Sequence, residues 1–253
     1  MTSASPNRVP IQHPDYRYPE SRNPYYRKLR ELPERLVFGD QDTECHMGQW
    51  RDQFLDTADQ AGTSKSETSG RRALHVEIGC NGGHVSLEWA ARNPADLYIG
   101  LDWKMKQIHR GGEKAQSRKL RNLIFLRAHA ERLKYVFAPG EVDFLYLYFP
   151  DPWPKKSQRK NRFINPGNLD MLAGIVRPGG VFHIKTDHPG YFEWMEESLK
   201  AASPFWSILE RSADLHQGHP SPTDLTIPEV TLFERIFIRE GLPIHSLKLL
   251  RRE

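Results

Sequence analysis

The sequence predicts an α/β fold built on one mostly parallel sheet, and three observations predict it. Short apolar runs alternate with helical patterns from Leu74 to Asp187. That alternation is the mark of strand–helix–strand units. The first run, Leu74-His75-Val76-Glu77-Ile78, passes directly into Gly79-Cys80-Asn81-Gly82-Gly83 and then into a helical stretch, His84–Arg92. Strand, glycine turn and helix form the opening unit of a doubly wound sheet, where glycine permits a tight turn and the close approach of a ligand. The second run, Leu97–Leu101, ends in Asp102, about 23 residues past Gly79. An acid at that spacing meets a ribose diol in nucleotide-type sites.

The remaining elements follow in order. Lys104–Leu120 reads as a basic helix and Leu123–Arg127 as a third strand, followed by His129-Ala130. Val142–Phe149 is a fourth, buried strand, Pro166–Val176 a helix, and Val181–Lys185 a fifth strand after the turn Arg177-Pro178-Gly179-Gly180. Tyr191–Ala201 is helical, with Phe192, Met195 and Leu199 on one face. Two further strands are expected over Phe205–Leu209 and Thr231–Arg239, the second because it alternates. Before the first strand, Gln49–Ala58 reads as a short helix packed on the domain through Trp50, Phe54 and Leu55, and Gly62–Arg72 as a polar linker. Gln217–Pro228, rich in Gly, Pro, Ser and Thr, reads as a long loop.

Residues 1–35 form an arm. Prolines at 6, 10, 14, 19, 24 and 33 are interleaved with Tyr16, Tyr18, Tyr25 and Tyr26 and with Arg8, Arg17, Arg22, Arg27, Lys28 and Arg30. Such a stretch builds no core of its own. It suits either an arm that orders on nucleic acid or a flexible tail. Residues 36–253 form the single domain that the length allows.

Composition narrows the function. The net charge of +4 permits a nucleic-acid partner without requiring one. Cys45 and Cys80 make neither a disulfide framework nor a zinc pattern. No run has the length of a membrane span and the N-terminus lacks an apolar leader, so a cytoplasmic protein is expected.

The chemistry concentrates in Phe149-Pro150-Asp151-Pro152-Trp153-Pro154-Lys155-Lys156, followed by Arg159, Lys160 and Arg162. Three prolines end the fourth strand and stiffen its exit. A carboxylate beside an indole and a block of cations at a strand exit suits a nucleobase and its phosphates; the acid is expected to be buried, against the alternative of a plain turn acid. Trp153 either stacks on a base or covers the sheet end. The cations either neutralise phosphates or form a solvated surface.

Several motifs then stand in a fixed order: Glu77-Ile78-Gly79 with Gly83, Asn93-Pro94, Tyr98-Ile99-Gly100-Leu101-Asp102, Phe149–Lys156, Arg177–Gly180, Thr186-Asp187, and Thr231 with Phe233-Glu234. This pattern closely resembles the bacterial tRNA (guanine-N7-)-methyltransferase family, over about Glu77 to Arg239. The resemblance implies a class I methyltransferase fold, Rossmann-like, with a seven-stranded mixed sheet and helices on both faces. It implies S-adenosyl-L-methionine as the methyl donor, tRNA as the partner, N7 of a variable-loop guanosine as the acceptor, no metal, and a monomer or homodimer. By position it implies cofactor contacts from Glu77, Gly79, Gly83, Asp102, Trp103, His129, Ala130 and Asp151, with Asp151 also catalytic. Lys155, Asp187, Thr231, Leu232, Phe233 and Glu234 fall on the substrate side, and Lys156, Arg159, Lys160 and Arg162 on RNA.

The chain departs from the family pattern at Asn81, at Asp102 and at His129, which stands where the family usually has Asp or Asn. An imidazole can stack on adenine or make one hydrogen bond but supplies no carboxylate; the alternative leaves binding to the neighbouring backbone N–H. Other readings are another S-adenosyl-L-methionine-dependent nucleic-acid methyltransferase, an exocyclic-amine methyltransferase, a nicotinamide-dependent oxidoreductase or a non-catalytic tRNA-binding relative. Trp153 stands where the amine-methylating motif needs a second proline, and Glu77 beside the glycine turn disfavours a pyrophosphate. The acids Asp151, Asp187 and Glu234 disfavour a module that only binds RNA.

Overall fold

The computed structural model describes residues 9–33, 35–54, 71–202, 204–217 and 230–253. In chain order the elements are α1 (Pro24–Lys28), β1 (Val37–Gly39), α2 (Asp42–Cys45), β2 (Leu74–Ile78), α3 (His84–Arg92), β3 (Leu97–Asp102), α4 (Met105–Ser117), β4 (Leu123–Arg127), α5 (Leu133–Val136), β5 (Val142–Tyr148), α6 (Pro166–Ile175), β6 (Val176–Thr186), α7 (Pro189–Ala201), β7 (Trp206–Ser212), α8 (Leu232–Arg239) and β8 (His245–Arg251). They form one eight-stranded sheet in the order β1-β4-β3-β2-β5-β6-β8-β7. Neighbours are parallel from β1 to β6, while β8 runs antiparallel to both β6 and β7.

All six residues of β3 are buried, as a central parallel strand covered on both faces requires. Buried side chains divide into two clusters. The larger includes Val76, Ile99, Leu145, Phe182 and Leu249, and the smaller centres on Trp89, Tyr98 and Phe125. The chain winds outward from β2 through β3 to β4, then returns to start β5 on the other side of β2. The strand order therefore reverses between β2 and β5, where open α/β sheets bind ligands beyond their carboxyl ends.

Three strand assignments differ from the sequence reading. The sheet has an eighth strand, β1, three residues that extend the β4 edge. Residues expected as a strand over Thr231–Arg239 instead form α8. The reason is local: the Thr231 hydroxyl accepts from Glu234 N–H and the Glu234 carboxylate accepts from Thr231 N–H, a closed capping box that fixes a helix start. The last strand is β8, in which Leu247 and Leu249 face the core. The helix expected over Gln49–Ala58 is a single 3-10 turn, Trp50–Gln53, and residues 55–58 lie outside the described ones. Trp50 and Phe54 do enter the core, and the Trp50 indole N–H donates to Val136 O at 2.7 Å. Most of the linker and of the long loop, 62–70 and 218–228, also lies outside the described residues.

The arm packs on the domain over residues 10–33. Arg132, fully buried, donates from Nη1 to Ile11 O at 2.6 Å and His13 O at 2.9 Å, and its Nη2 donates to Glu44 at 2.8 Å. At the opposite end of the sheet, Asp143 accepts from Arg51 and Arg71, each at 2.6 Å, and from Leu74 N at 2.8 Å. That junction ties the start of β2 to the start of β5.

Gly83 caps α3 at φ +71°, and a Cβ there would lie 2.5 Å from the Phe125 ring. Gly100 and Gly111 meet the same ring, each at 2.8 Å. Gly83 is thus required for helix-on-sheet packing. Gly83→Ala combines left-handed strain with overpacking, and we expect a loss of about 3 kcal/mol. A chemical-denaturation midpoint equal to wild type would contradict this.

Candidate active site

A cavity of about 590 Å³ opens at the β2/β5 reversal, lined by the ends of β2, β3 and β5 and by the start of α8. Gly79 sits on its floor at φ +74°, and a Cβ added there would meet nothing within 4 Å. A ligand can therefore lie directly on the backbone. Asp102, at the end of β3, holds its carboxylate in place by accepting from Asn81 N at 3.1 Å and Lys104 N at 2.8 Å. Asn81 itself takes a positive φ of 54°, so the residue that replaces the family glycine adopts the glycine conformation.

Glu77 is buried on the cavity floor and accepts from both the backbone N–H and the hydroxyl of Ser86. Burial pushes its carboxyl up to about 7, against the lowering by the Ser86 hydrogen bonds. The cavity thus presents one fixed anion and one acid poised to ionise, an arrangement suited to a cationic ligand with a diol. S-adenosyl-L-methionine has both features, so Glu77, Gly79 and Asp102 fit the donor that the fold implies. In the cofactor-free protein, ionising Glu77 costs the fold roughly 3 kcal/mol; that stability is present below pH 4.5 and is lost as pH rises through 7. A bound cation favours the carboxylate. Cofactor affinity is therefore expected to climb as pH rises to about 7 and then level off, with a proton released on binding below that pH. Calorimetry in two buffers of different ionisation enthalpy measures that proton; zero release at pH 6 would refute the coupling.

Trp103 and Ala130 line the cavity, whereas His129 stands behind Trp103. Its ring stacks on the Trp103 indole at 5.6 Å and on Tyr18 of the arm at 6.0 Å. Burial, with help from Arg127 and Arg132, lowers the imidazole to about 4, so it is neutral at ordinary pH.

The proline loop leaves β5 through Phe149 and Trp153, both at positive φ, 52° and 44°. Bulky residues rarely adopt that region, and held strain of this kind accompanies working loops. Asp151 sits on the cavity wall but is exposed to solvent, which corrects the expectation of a buried carboxylate. Lys155, Lys156, Arg159 and Lys160 are all exposed on or beside a 3-10 turn, Lys156–Asn161. Arg162 is different and corrects the sequence reading. It is 2% exposed, donates from Nε to Pro152 O at 2.9 Å and from Nη1 to Gly190 O at 3.1 Å, and lies over Tyr191 and Trp194. Its guanidinium clamps the base of the loop and is not presented to RNA.

Thr231, Leu232 and Phe233 line the cavity from the start of α8, with Leu232 and Phe233 largely exposed. Glu234, expected beside them, points the other way and is fully buried. Lys185 Nζ donates to both its oxygens at 3.2 and 3.3 Å, and His216 Nε2 lies 2.6 Å from Oε1. Burial alone would raise this carboxyl; His216, Lys185 and the Thr231 N–H outweigh it and hold it below the usual range. Asp187 is half-buried just past β6 and does not line the cavity.

Sequence reasoning missed Lys185 and His216, whose partner is distant in the chain, and Tyr18, which carried only a compositional signal. It also missed the α4 wall. Gln107, Arg110 and Lys114 fall at helical spacing along one face and line the cavity mouth, a stripe that the basic run from Lys104 does signal. Among the described residues, no helix is long and apolar enough to cross a membrane and no acidic, His or Cys cluster could hold a metal.

Comparison with known proteins decides the family. Residues 71–247 match the family described as "Putative methyltransferase". The chain is 34% identical over 176 residues to the tRNA (guanine-N(7)-)-methyltransferase of Bdellovibrio bacteriovorus, covering 70% of this chain and 81% of that one. The chain belongs to the tRNA (guanine-N(7)-)-methyltransferase family. The Bacillus subtilis member is 32% identical over 210 residues, covering 79% of this chain and 95% of the other. Among solved structures, the 16S rRNA methyltransferase KamB superposes with a TM-score of 0.53 at 20% identity, covering 72% of this chain and 88% of that one. The [4+2]-cyclase SpnF superposes almost as well, with a TM-score of 0.50 at 15% identity over 74% of this chain and 78% of its own. These likenesses establish the class I methyltransferase fold; the reaction has to come from the site.

Proposed function

We propose that this protein transfers a methyl group from S-adenosyl-L-methionine to N7 of a variable-loop guanosine in tRNA. The observation that carries the reading is the placement of Asp151 on the wall of a cavity with Glu77 and Asp102 on its floor, with the exposed cations following it in the same loop. S-adenosyl-L-methionine supplies an electrophilic methyl group on a sulfonium. Guanine N7 offers a free lone pair, so no base need remove a proton and no Lewis acid has anything to polarise. The protein's work is alignment and charge. Asp102 holds the ribose and Glu77 the cationic half of the donor. Asp151 accepts from the N–H edge of guanine and offsets the positive charge that grows on the purine. Leu232 and Phe233 offer apolar surface to the base. We place the reaction in the cytoplasm, with folded tRNA.

The test is labelled methyl transfer to unmodified tRNA, followed by strand cleavage specific for 7-methylguanosine. Cleavage at one variable-loop guanosine is the expected result; label that enters the RNA without such cleavage overturns the assignment.

The basic loop makes a separate prediction. Reversing the charge of Lys155, Lys156, Arg159 and Lys160 together should lower tRNA affinity and flatten its log–log salt dependence by about three units, since each phosphate contact contributes roughly 0.7–0.9. An unchanged slope would mean that these side chains only face solvent.

A further inference from the structure

We propose that the N-terminal arm is part of the cofactor site: Tyr18, packed on His129, braces the Trp103 indole that faces the cavity, and so sets affinity for the adenine half of the cofactor. The proposal rests on the reading that this cavity takes S-adenosyl-L-methionine.

Three rings form a series of near-parallel neighbours. Tyr18 and His129 lie 6.0 Å apart at 18°, and His129 and Trp103 lie 5.6 Å apart at 21°. Trp103 is the member that lines the cavity, and it is 54% exposed. A large indole left that open needs support if it is to present a fixed face to a planar base. The stack supplies it, and polar contacts lock the stack. The His129 backbone N–H donates to the Tyr18 hydroxyl at 3.2 Å. Arg127 closes the unit: its Nε donates to Trp103 O at 3.2 Å, its guanidinium lies 5.2 Å from the centre of the Tyr18 ring, and it is ion-paired with Asp40.

The arm is held in this position along its length. The Tyr18 N–H donates to Gln41 Oε1 at 3.1 Å, and two carbonyls upstream, Ile11 O and His13 O, are taken by Arg132, a guanidinium with no exposed surface. Backbone carbonyls bonded to a fully buried cation belong to a docked segment, not to a passing tail.

The experiment uses the full chain and two probes, S-adenosyl-L-methionine and 5′-methylthioadenosine, with dissociation constants measured by calorimetry. Tyr18→Ala should raise both constants by about tenfold, the upper end of what an aromatic pair contributes. Equal effects on the two probes locate the loss at the adenosine end. Tyr18→Phe keeps the ring and should stay within about threefold. Tyr25→Ala, elsewhere on the arm, should change neither constant. Should Tyr18→Ala not fold, Tyr18→Leu carries the same test, because it keeps apolar bulk without a flat face. If Trp103→Ala or His129→Ala weakens both probes and the Tyr18 variants do not, the arm is no part of the site although the cavity reading stands. If all of them bind like wild type, the adenine reading of this rim fails and the inference with it. A Tyr25→Ala effect as large as that of Tyr18→Ala would also overturn it.

Discussion

Asp151→Asn is expected to lose roughly 10²–10³-fold in turnover at saturating tRNA, the scale on which removing one preorganised charge partner slows a reaction. Cofactor affinity should change little, because in the proposed function the polar ends of the donor fall to Glu77 and Asp102, on the cavity floor rather than on the loop. Stability should be unchanged, since Asp151 is exposed and the loop is fixed by its prolines and by the Arg162 clamp on Pro152 O. Exposure does not weaken the argument. The carboxylate faces water in the free protein, and its charge becomes effective once RNA covers the cavity mouth and excludes that water. An amide is a near-isostere but presents a donor where guanine needs two acceptors, so even Asn should fail. The substitution also removes an anion next to Lys155 and Lys156, so tRNA binding should tighten slightly while turnover falls. That opposite movement separates a role in catalysis from a role in holding RNA. Turnover within about threefold of wild type would remove Asp151 from the mechanism.

The sheet from β2 to β6 was legible because parallel strands buried on both faces read as compact apolar runs with glycine and proline at their ends. The cavity floor was legible for the same reason: Glu77, Gly79 and Asp102 sit at strand ends that the pattern locates. What local patterning could not decide was α8. Thr231–Arg239 alternates well enough for a strand, and the same residues carry a capping box; two hydrogen bonds within one turn decided the outcome. Arg162 was misjudged because a cation in a basic run looks like its neighbours until Tyr191 and Trp194, on α7, close over it. The partners of His129 are Tyr18, 111 positions earlier, and Trp103, just past β3, and no spacing rule joins Tyr18 to it. Glu234 shows the same limit, since its orientation depends on a lysine from β6.

Lys185→Met is expected to cost about 3 kcal/mol and to lower the melting temperature by roughly 6–12 °C. Lys185 and Glu234 are 3% and 0% exposed at the side chain, so removing the cation leaves a buried carboxylate that, among the described residues, His216 and the capping N–H must satisfy. The consequence reaches the site through geometry. Glu234 is the third residue of α8, and the two before it, Leu232 and Phe233, line the cavity with Thr231. Loosening that helix start should lower turnover on tRNA while leaving the cofactor floor on β2 and β3 intact, so binding of S-adenosyl-L-methionine should be nearly unchanged. The pH dependence has a definite sign. The folded-state carboxyl of Glu234 lies below its ordinary 4.5, so its contribution to stability is present above that value and is lost as pH falls through the folded one. Without Lys185 the depression is smaller, and acid unfolding of the variant should begin at a higher pH. A double variant, Lys185→Met with Glu234→Met, removes both charges and should recover part of the stability lost by either single change, because the cost comes from the unpaired charge rather than from the missing pair. If Lys185→Met melts within a degree of wild type, the ion pair does not hold α8 in place and the capping box sets the cavity lip without it.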